Sequence, residues 1–313
     1  MRIVVVGAGG VGGYFGAKLA RAGQDVTLVA RGAHLDAIRS RGIRVRSAVE
    51  GEYTVPVTAV ENVAGLPPAD AVLLCVKSFD TEAAVEQVRA VVGEATAVLS
   101  LQNGVDNEDK IDAALGAGSG GTRTVGHALG GAAYVFAAIE APGVIAHTFA
   151  GRIVLGELDG RPTPRAERLR DAIAAAGIPV GLSDDVRRVL WEKYLLISAQ
   201  AGMTSLTRCP VGVIRETRET WRMYRMIVEE LAALGRASGV ALPADAVETT
   251  LSAAGQLAPH LYSSLHHDLI HGKRLELDAL HGHAVRLGER LGVPTPTVFA
   301  VYAALKPFAE GTR

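Results

Sequence analysis

Cysteine is almost absent from this 313-residue chain, with Cys75 and Cys209 the only two. Two thiols cannot build the framework of cross-links on which small secreted domains rely. Cys75 also falls inside an apolar run, so a reducing compartment is the expected setting. An excess of one charge is missing too: 32 Lys and Arg stand against 33 Asp and Glu, a formal net charge of −1. That balance excludes a general electrostatic pull toward nucleic acid or an anionic membrane. No apolar stretch is long and charge-free enough to span a bilayer. The opening run at 3–6 stops at Gly7, too short for the apolar core of a secretory leader. The expectation is a soluble, cytoplasmic protein without membrane or nucleic-acid partners. Lysine is scarce as well: only Lys18, Lys77, Lys110, Lys193, Lys273 and Lys306 occur among many Arg. Against that background a Lys in an unexpected setting is informative.

What is present is ordinary globular material, 49 % hydrophobic and 21 % charged, with enough apolar residues for a sizeable core. Length favours two domains. In the first part, short β-branched runs at 3–6, 25–30, 71–76, 97–101 and 153–156 alternate with helical patterns at 11–22, 34–41 and 81–92. Such alternation predicts a parallel, doubly wound α/β sheet. Residues 44–48 and 53–58 read as a small excursion from it, 116–121 as a Gly-rich turn, 165–176 as a helix and 179–182 as a short strand. From there the pattern is helical only, with helices expected at 185–205, 216–238, 243–256, 275–291 and 296–307. The reading gives two domains, 1–184 and 185–313, the second all-helical.

The stretch Val6-Gly7-Ala8-Gly9-Gly10-Val11-Gly12 holds Gly-x-Gly-x-x-Gly directly after a buried strand and at the opening of a helix. In that context the motif has mechanical meaning. Gly7 permits a tight turn, Gly9 lets the backbone approach a pyrophosphate, and Gly12 allows close helix–strand packing. The helix N-terminus, with Gly10 and Val11, then offers free N–H groups and a partial positive charge to phosphates. This is a Rossmann-type dinucleotide site. The second strand ends in Val29-Ala30-Arg31, with no acid to accept from a ribose 2′-hydroxyl. An Arg fork suits a 2′-phosphate instead, so NADPH is the expected cofactor. Arg39, Arg41, Arg44 and Arg46 follow, and these also read as a solvated face.

Ligands of open α/β sheets sit at the carboxyl ends of the strands. Lys77 and Asn103 occupy such ends, although loop lysines are usually solvated and Asn-Gly is a favoured turn dipeptide. Lys193 stands out more. Val186, Val189, Leu190, Lys193 and Ile197 recur at three- and four-residue spacing, which puts an ammonium on the apolar stripe of its helix. Burying it is costly unless it is paired, and such lysines are acid–base candidates. A stem that snorkels to water is the structural alternative. An ammonium can steady a developing alkoxide and then protonate it, with a nearby carboxylate to hold it in place. Candidates lie in 263–268, with Asp268, and in 275–280, with Glu276 and Asp278, which as helix N-terminal acids have an ordinary explanation too. His266, His267, His271, His281 and His283 lack metal-ligand spacing, so no metal is expected.

Taken in order, these segments resemble the ketopantoate reductase (2-dehydropantoate 2-reductase) family over nearly the whole chain. The resemblance rests on the glycine loop, Arg31, Lys77 and Leu101-Gln102-Asn103-Gly104. It continues through Leu190-Trp191-Glu192-Lys193, Ser263-Ser264 with Asp268, Leu275-Glu276-Leu277-Asp278, and 286–296. It implies NADPH-dependent reduction of 2-dehydropantoate to (R)-pantoate, for pantothenate and coenzyme A biosynthesis. Lys193 would be the general acid. Glu276 would position it and touch the substrate, Asn103 and Ser264 would hold the substrate, and Lys77 would sit between cofactor and substrate. The small-molecule 2-oxo acid is the implied partner, and a homodimer is compatible with the reading. The chain departs from the family at Ile197, Ala201 and Leu261, where Asn is common. Fewer amides leave the hydride chemistry intact and open the site to another branched 2-oxo acid or a β-keto acid. A non-catalytic NADPH-binding regulator is the rival from another class, and it would need neither Lys193 nor Glu276.

Overall fold

Strand β1 (Arg2–Val6) buries four consecutive residues, Ile3 to Val6, as a strand covered on both faces must. The computed structural model describes residues 1–116 and 126–311; the expected Gly-rich turn at 116–121 lies, beyond Gly116, outside them. After β1 come α1 (Gly10–Arg21), β2 (Asp25–Val29), α2 (Gly32–Arg41), β3 (Ile43–Ser47), β4 (Gly51–Val55), β5 (Thr58–Val60) and β6 (Ala69–Leu74). Then follow α3 (Thr81–Val88), β7 (Val92–Ser100), α4 (Asn107–Leu115), β8 (Ala128–Ala141), β9 (Val144–Glu157), α5 (Pro164–Ala175) and β10 (Val180–Leu182). Among the described residues, ten strands form one sheet in the order β4-β3-β9-β8-β7-β6-β1-β2-β5, with β10 also on β9.

β1 pairs in parallel with β2 on one side and β6 on the other. The chain therefore builds outward in both directions from the β1/β6 junction. Where strand order reverses, the loops after the two strands diverge and leave a crevice at their carboxyl ends.

Two expectations about this half need correction. The excursion at 44–58 is an antiparallel pair, β3 with β4, and it joins the sheet because Arg44–Ser47 run parallel to Val144–His147 of β9. The single strand expected at 153–156 is the end of a 14-residue strand, β9, paired antiparallel to the equally long β8. The β8 sequence ALGGAAYVFAAIEA is poor in β-branched residues. Strand propensity is therefore silent there, and pairing with β9 decides the outcome.

The helical half comprises α6 (Val186–Thr207), α7 (Val211–Glu216), α8 (Arg218–Ala237), α9 (Ala246–Gly255), α10 (Ser264–Ile270), α11 (His283–Leu291) and α12 (Pro296–Leu305). Its core includes Tyr194, Leu195, Met203, Tyr224, Ile227 and Leu231, each fully buried. The helix expected at 216–238 breaks at Thr217, whose extended backbone separates α7 from α8. The helix expected at 275–291 opens instead with a π-helical turn, Asp278–Gly282. Two compact units result: 1–102 with 107–186, and 103–106 with 187–313. Among the described residues, no helix is long and apolar enough to cross a membrane.

Candidate active site

In the sheet unit, the loop after β1 is shaped by what it cannot accommodate. Gly7 has φ +94°, and a Cβ there would come within 2.8 Å of Val76 N. Its N–H and that of Ala8 both donate to Val29 O, at 3.2 and 3.1 Å, which fastens the turn to the end of β2. A Cβ on Gly12 would lie 2.2 Å from Gly7 O, and one on Gly10 would lie 2.0 Å from Ala137 O in β8. Gly10 is thus required by the β8–β9 hairpin, a neighbour that spacing alone does not announce. Gly9 is the opposite case, with nothing within 4 Å of its Cβ position. The first turn of α1 carries no acidic residue and no side-chain cap. Its open N–H groups beside the bare face of Gly9 fit the phosphates of a dinucleotide.

Arg31 stands exposed at the position before α2, without capping it through its side chain, and its guanidinium lies 4.0 Å from the Asp80 carboxylate. The later basic residues have other partners: Arg44 pairs with Glu52, Arg46 with Glu140 at 2.6 Å, and Arg39 donates to Ala59 O. Lys77 is half-buried and precedes the short helical turn Ser78–Asp80. Two residues that sequence reasoning passed over brace these loops. The Nδ1 of His34 accepts from the Gly143 N–H at 3.0 Å, so its Nε2 carries the hydrogen and donates to Ala8 O at 2.8 Å. Burial pushes the His34 pKa below the ordinary imidazole value, which favours this neutral bridge. Gln102 donates to Val76 O at 3.1 Å and to Thr81 Oγ1 at 2.8 Å, tying the end of β7 to the loop that holds Lys77.

The helical unit carries the remaining candidates. α6 is held by Trp191, which meets Tyr194 edge-on at 5.5 Å and packs where a Cβ on Gly235 of α8 would be 2.8 Å away. Lys193 sits between those two aromatics in sequence and is only 9 % exposed. The next residue, Tyr194, donates to Leu280 O at 2.7 Å, and the Leu280 N–H donates to Glu276 O at 3.1 Å. One hydrogen-bonded path therefore runs from the residue after Lys193 to Glu276. Glu276 is 6 % exposed. Asp278, two residues on, faces elsewhere, within reach of Arg286 at 3.2 Å, Tyr302 Oη at 2.8 Å and Lys306 at 2.9 Å. Its carboxyl is held below the ordinary range by hydrogen bonds from Lys306, Tyr302 and Arg286, which outweigh the larger opposing effect of burial.

Asn103 packs with this unit although it follows β7. Its turn is anchored by Asp106, whose carboxylate lies 3.2 Å from His283 Nδ1 at the start of α11. Ser264 opens α10 in an exposed position. Its neighbour Ser263 caps that helix through the His266 N–H at 3.0 Å and meets Thr204 Oγ1 of α6 at 2.7 Å. The five histidines serve separate contacts: His266 stacks on Tyr262, His267 on His271, and His281 is buried against Ser198 O.

The residues that carry these features match known proteins across both units. The ketopantoate reductase PanE/ApbA profile covers residues 3–160, and the ketopantoate reductase PanE/ApbA C-terminal profile covers 185–309. The 2-dehydropantoate 2-reductase of Mesorhizobium japonicum is 32 % identical, over 99 % of this chain and 98 % of its own. The crystal structure of a PanE/ApbA family ketopantoate reductase from Ralstonia eutropha JMP134 superposes with TM-score 0.88 at 34 % identity, covering 99 % of this chain and 98 % of that one. A D-mandelate dehydrogenase, solved with NADH and anilino(oxo)acetate, shares the fold with TM-score 0.88 at 22 % identity, covering 99 % and 98 %. With matched segments running from residue 3 to residue 309, the chain belongs to the ketopantoate reductase PanE/ApbA family of oxidoreductases.

Proposed function

We propose that this protein reduces a 2-oxo acid with NADPH, 2-dehydropantoate being the leading substrate and (R)-pantoate the product. The observation that carries the reading is Lys193, only 9 % exposed on α6 and next to the fully buried Tyr194. A lysine set into a buried helix face is an acid–base candidate, able to offer both a charge and a proton to a reacting oxygen. The dinucleotide, when bound, supplies the hydride. Lys193 hydrogen-bonds the keto oxygen, steadies the charge that grows on it, and hands over a proton as it becomes a hydroxyl. Glu276 holds the ammonium in register and contacts the substrate. Asn103 and Ser264 grip the substrate, with Ser264 near its carboxylate. Lys77 stands between substrate and cofactor. The backbone of Gly7, Gly9, Gly10, Val11 and Gly12 would hold the pyrophosphate, Asn103 and Lys77 would also contact the cofactor, and exposed Arg31 would take the 2′-phosphate.

A second reading keeps this chemistry and changes the acid. Ile197, Ala201 and Leu261 supply apolar surface where amides would grip a polar substrate, which favours another branched 2-oxo acid. Both readings are tested by following NADPH and NADH oxidation across 2-oxo and β-keto acids, with wild type and Arg31→Ala. The expected result is turnover of a 2-oxo acid with NADPH preferred. Arg31→Ala should weaken NADPH about tenfold or more and barely change NADH, as loss of a charge-assisted fork predicts. Equal losses for both cofactors would remove Arg31 from the assignment. Absence of turnover with every acid would overturn the function.

A further inference from the structure

The proposed reaction leaves Gln200, a buried polar side chain on α6, without a task. Gln200 is 7 % exposed, and its Oε1 is wholly shielded with no hydrogen-bond partner. A stripped acceptor is costly to keep, and each one in a packed interior needs an explanation. Seven residues separate Gln200 from Lys193. On a helix of 3.6 residues per turn that returns the side chain to within about 20° of the same direction, roughly two turns further along. Ile197 lies between them on this face. Thr204 extends it to Ser263, at 2.7 Å.

The adjoining face of α6 is already committed to the π-helical turn. Tyr194 donates to Leu280 O, Ser198 O receives His281 Nε2 at 3.0 Å, and a Cβ on Gly202 would lie 2.8 Å from that same nitrogen. Gln200 is turned away from those contacts and toward the Lys193 side. In order along that side stand an ammonium, an apolar side chain, an unsatisfied amide oxygen and a serine hydroxyl.

We propose that Gln200 is a specificity-determining residue whose amide oxygen accepts a hydrogen bond from a hydroxyl on the substrate. The site then prefers 2-oxo acids that carry a hydroxyl beyond a branched carbon over their deoxy counterparts. This inference rests on the 2-oxo acid reductase reading. The keto oxygen meets Lys193, the branched carbon meets Ile197, and the hydroxyl reaches Gln200. A hydroxyl suits the position in either orientation of the amide, since it can donate to the oxygen or accept from the nitrogen. A methyl or phenyl group would leave the amide desolvated and unpaired. A site built to bond a hydroxyl rejects its deoxy analogue for that reason.

The test compares 2-dehydropantoate with 3,3-dimethyl-2-oxobutanoate, which replaces the hydroxymethyl group by methyl. Both acids are assayed with NADPH on the same preparations of wild type, Gln200→Met and Gln200→Glu. Wild type should favour the hydroxylated acid at least about tenfold in kcat/KM, the scale of one buried hydrogen bond. Gln200→Met fills similar volume without an oxygen and should bring the ratio to within about threefold of unity, mostly through KM of the hydroxylated acid. Gln200→Glu keeps an acceptor and should retain the preference. Because the readout is a ratio on one preparation, partial misfolding cancels. A Gln200→Met ratio within twofold of wild type, or a wild type without preference, overturns the assignment of Gln200 while leaving the reductase reading in place. A wild type that reduces neither acid nor any other 2-oxo acid overturns both.

Discussion

The two units handle polar chemistry in opposite ways. In the sheet unit the candidate nucleotide loop is made of backbone, and its shape depends on side chains that are missing: Gly7, Gly10 and Gly12 each stand where a Cβ would strike a neighbour within 3 Å. In the helical unit the groups of interest are side chains, Lys193, Gln200 and Glu276, each less than 10 % exposed. A backbone site is lost through crowding, and the fold suffers with it. A side-chain site is lost through chemistry, and the fold can survive.

The largest expected effect falls on Lys193. General acid catalysis contributes a factor of about 10²–10⁴, so Lys193→Ala should lower kcat by at least about two orders of magnitude. NADPH affinity, measured by fluorescence titration, should change little because the glycine loop belongs to the other unit. Lys193→Arg should not restore the rate, since guanidinium does not release its proton. A kcat within a few-fold of wild type would make Lys193 a structural cation.

His281 sharpens the same contrast through pH. It is fully buried, and burial lowers its pKa to about 4, against the partial support of its bond to Ser198 O. Its Nδ1 has no partner, so a second proton has nowhere to be shared. The folded state therefore resists protonation while the unfolded state accepts it below about 6.5. Stability contributed by neutral His281 is complete above that pH and is lost progressively as pH falls toward 4, by about 3 kcal/mol in all. Urea unfolding at pH 7 and 4.5 should show most of this loss in wild type and much less in His281→Leu. Equal pH dependence in the two proteins would assign the acid sensitivity to other groups.

A smaller effect is expected at Gly10. A Cβ at 2.0 Å from Ala137 O forces α1 away from β8. Gly10→Ala should cost about 1–3 kcal/mol, the usual range for overpacking. NADPH binding should weaken together with the melting temperature, unlike the separation expected for Lys193→Ala. A variant that keeps wild-type stability but loses NADPH would mean that Gly10 acts on the ligand alone.

The same contrast explains what could be read from the chain. Gly7 and Gly12 were legible because spacing after a strand reports backbone geometry, whereas Gly10 depends on a hairpin whose Ala- and Gly-rich strand gives no β signal. The buried position of Lys193 was legible because a charge interrupts an apolar stripe. His34 was not, since a histidine in the first turn of a helix resembles any surface residue until Gly143 and Ala8 close on it from both sides. Glu276 and Asp278 looked equivalent two residues apart. What sets Asp278 apart is its contacts with Arg286, Tyr302 and Lys306, partners from later in the chain that local spacing does not announce. Gln200 lay one position from an expected amide site at Ala201, and only its shielded, unpartnered oxygen draws attention to it.

The central claim, hydride delivery to the keto carbon of a 2-oxo acid, is tested most directly by following the label from NADPH deuterated at C4 of the nicotinamide. Each deuterated face is supplied separately, with 2-dehydropantoate or the best acid of the panel as substrate. The account predicts that, with one of the two labelled cofactors, the 2-hydroxy acid carries a single deuterium at C2, in step with NADPH consumed. Consumption of NADPH with no deuterium in the product from either cofactor, or no consumption with any 2-oxo acid, would contradict it.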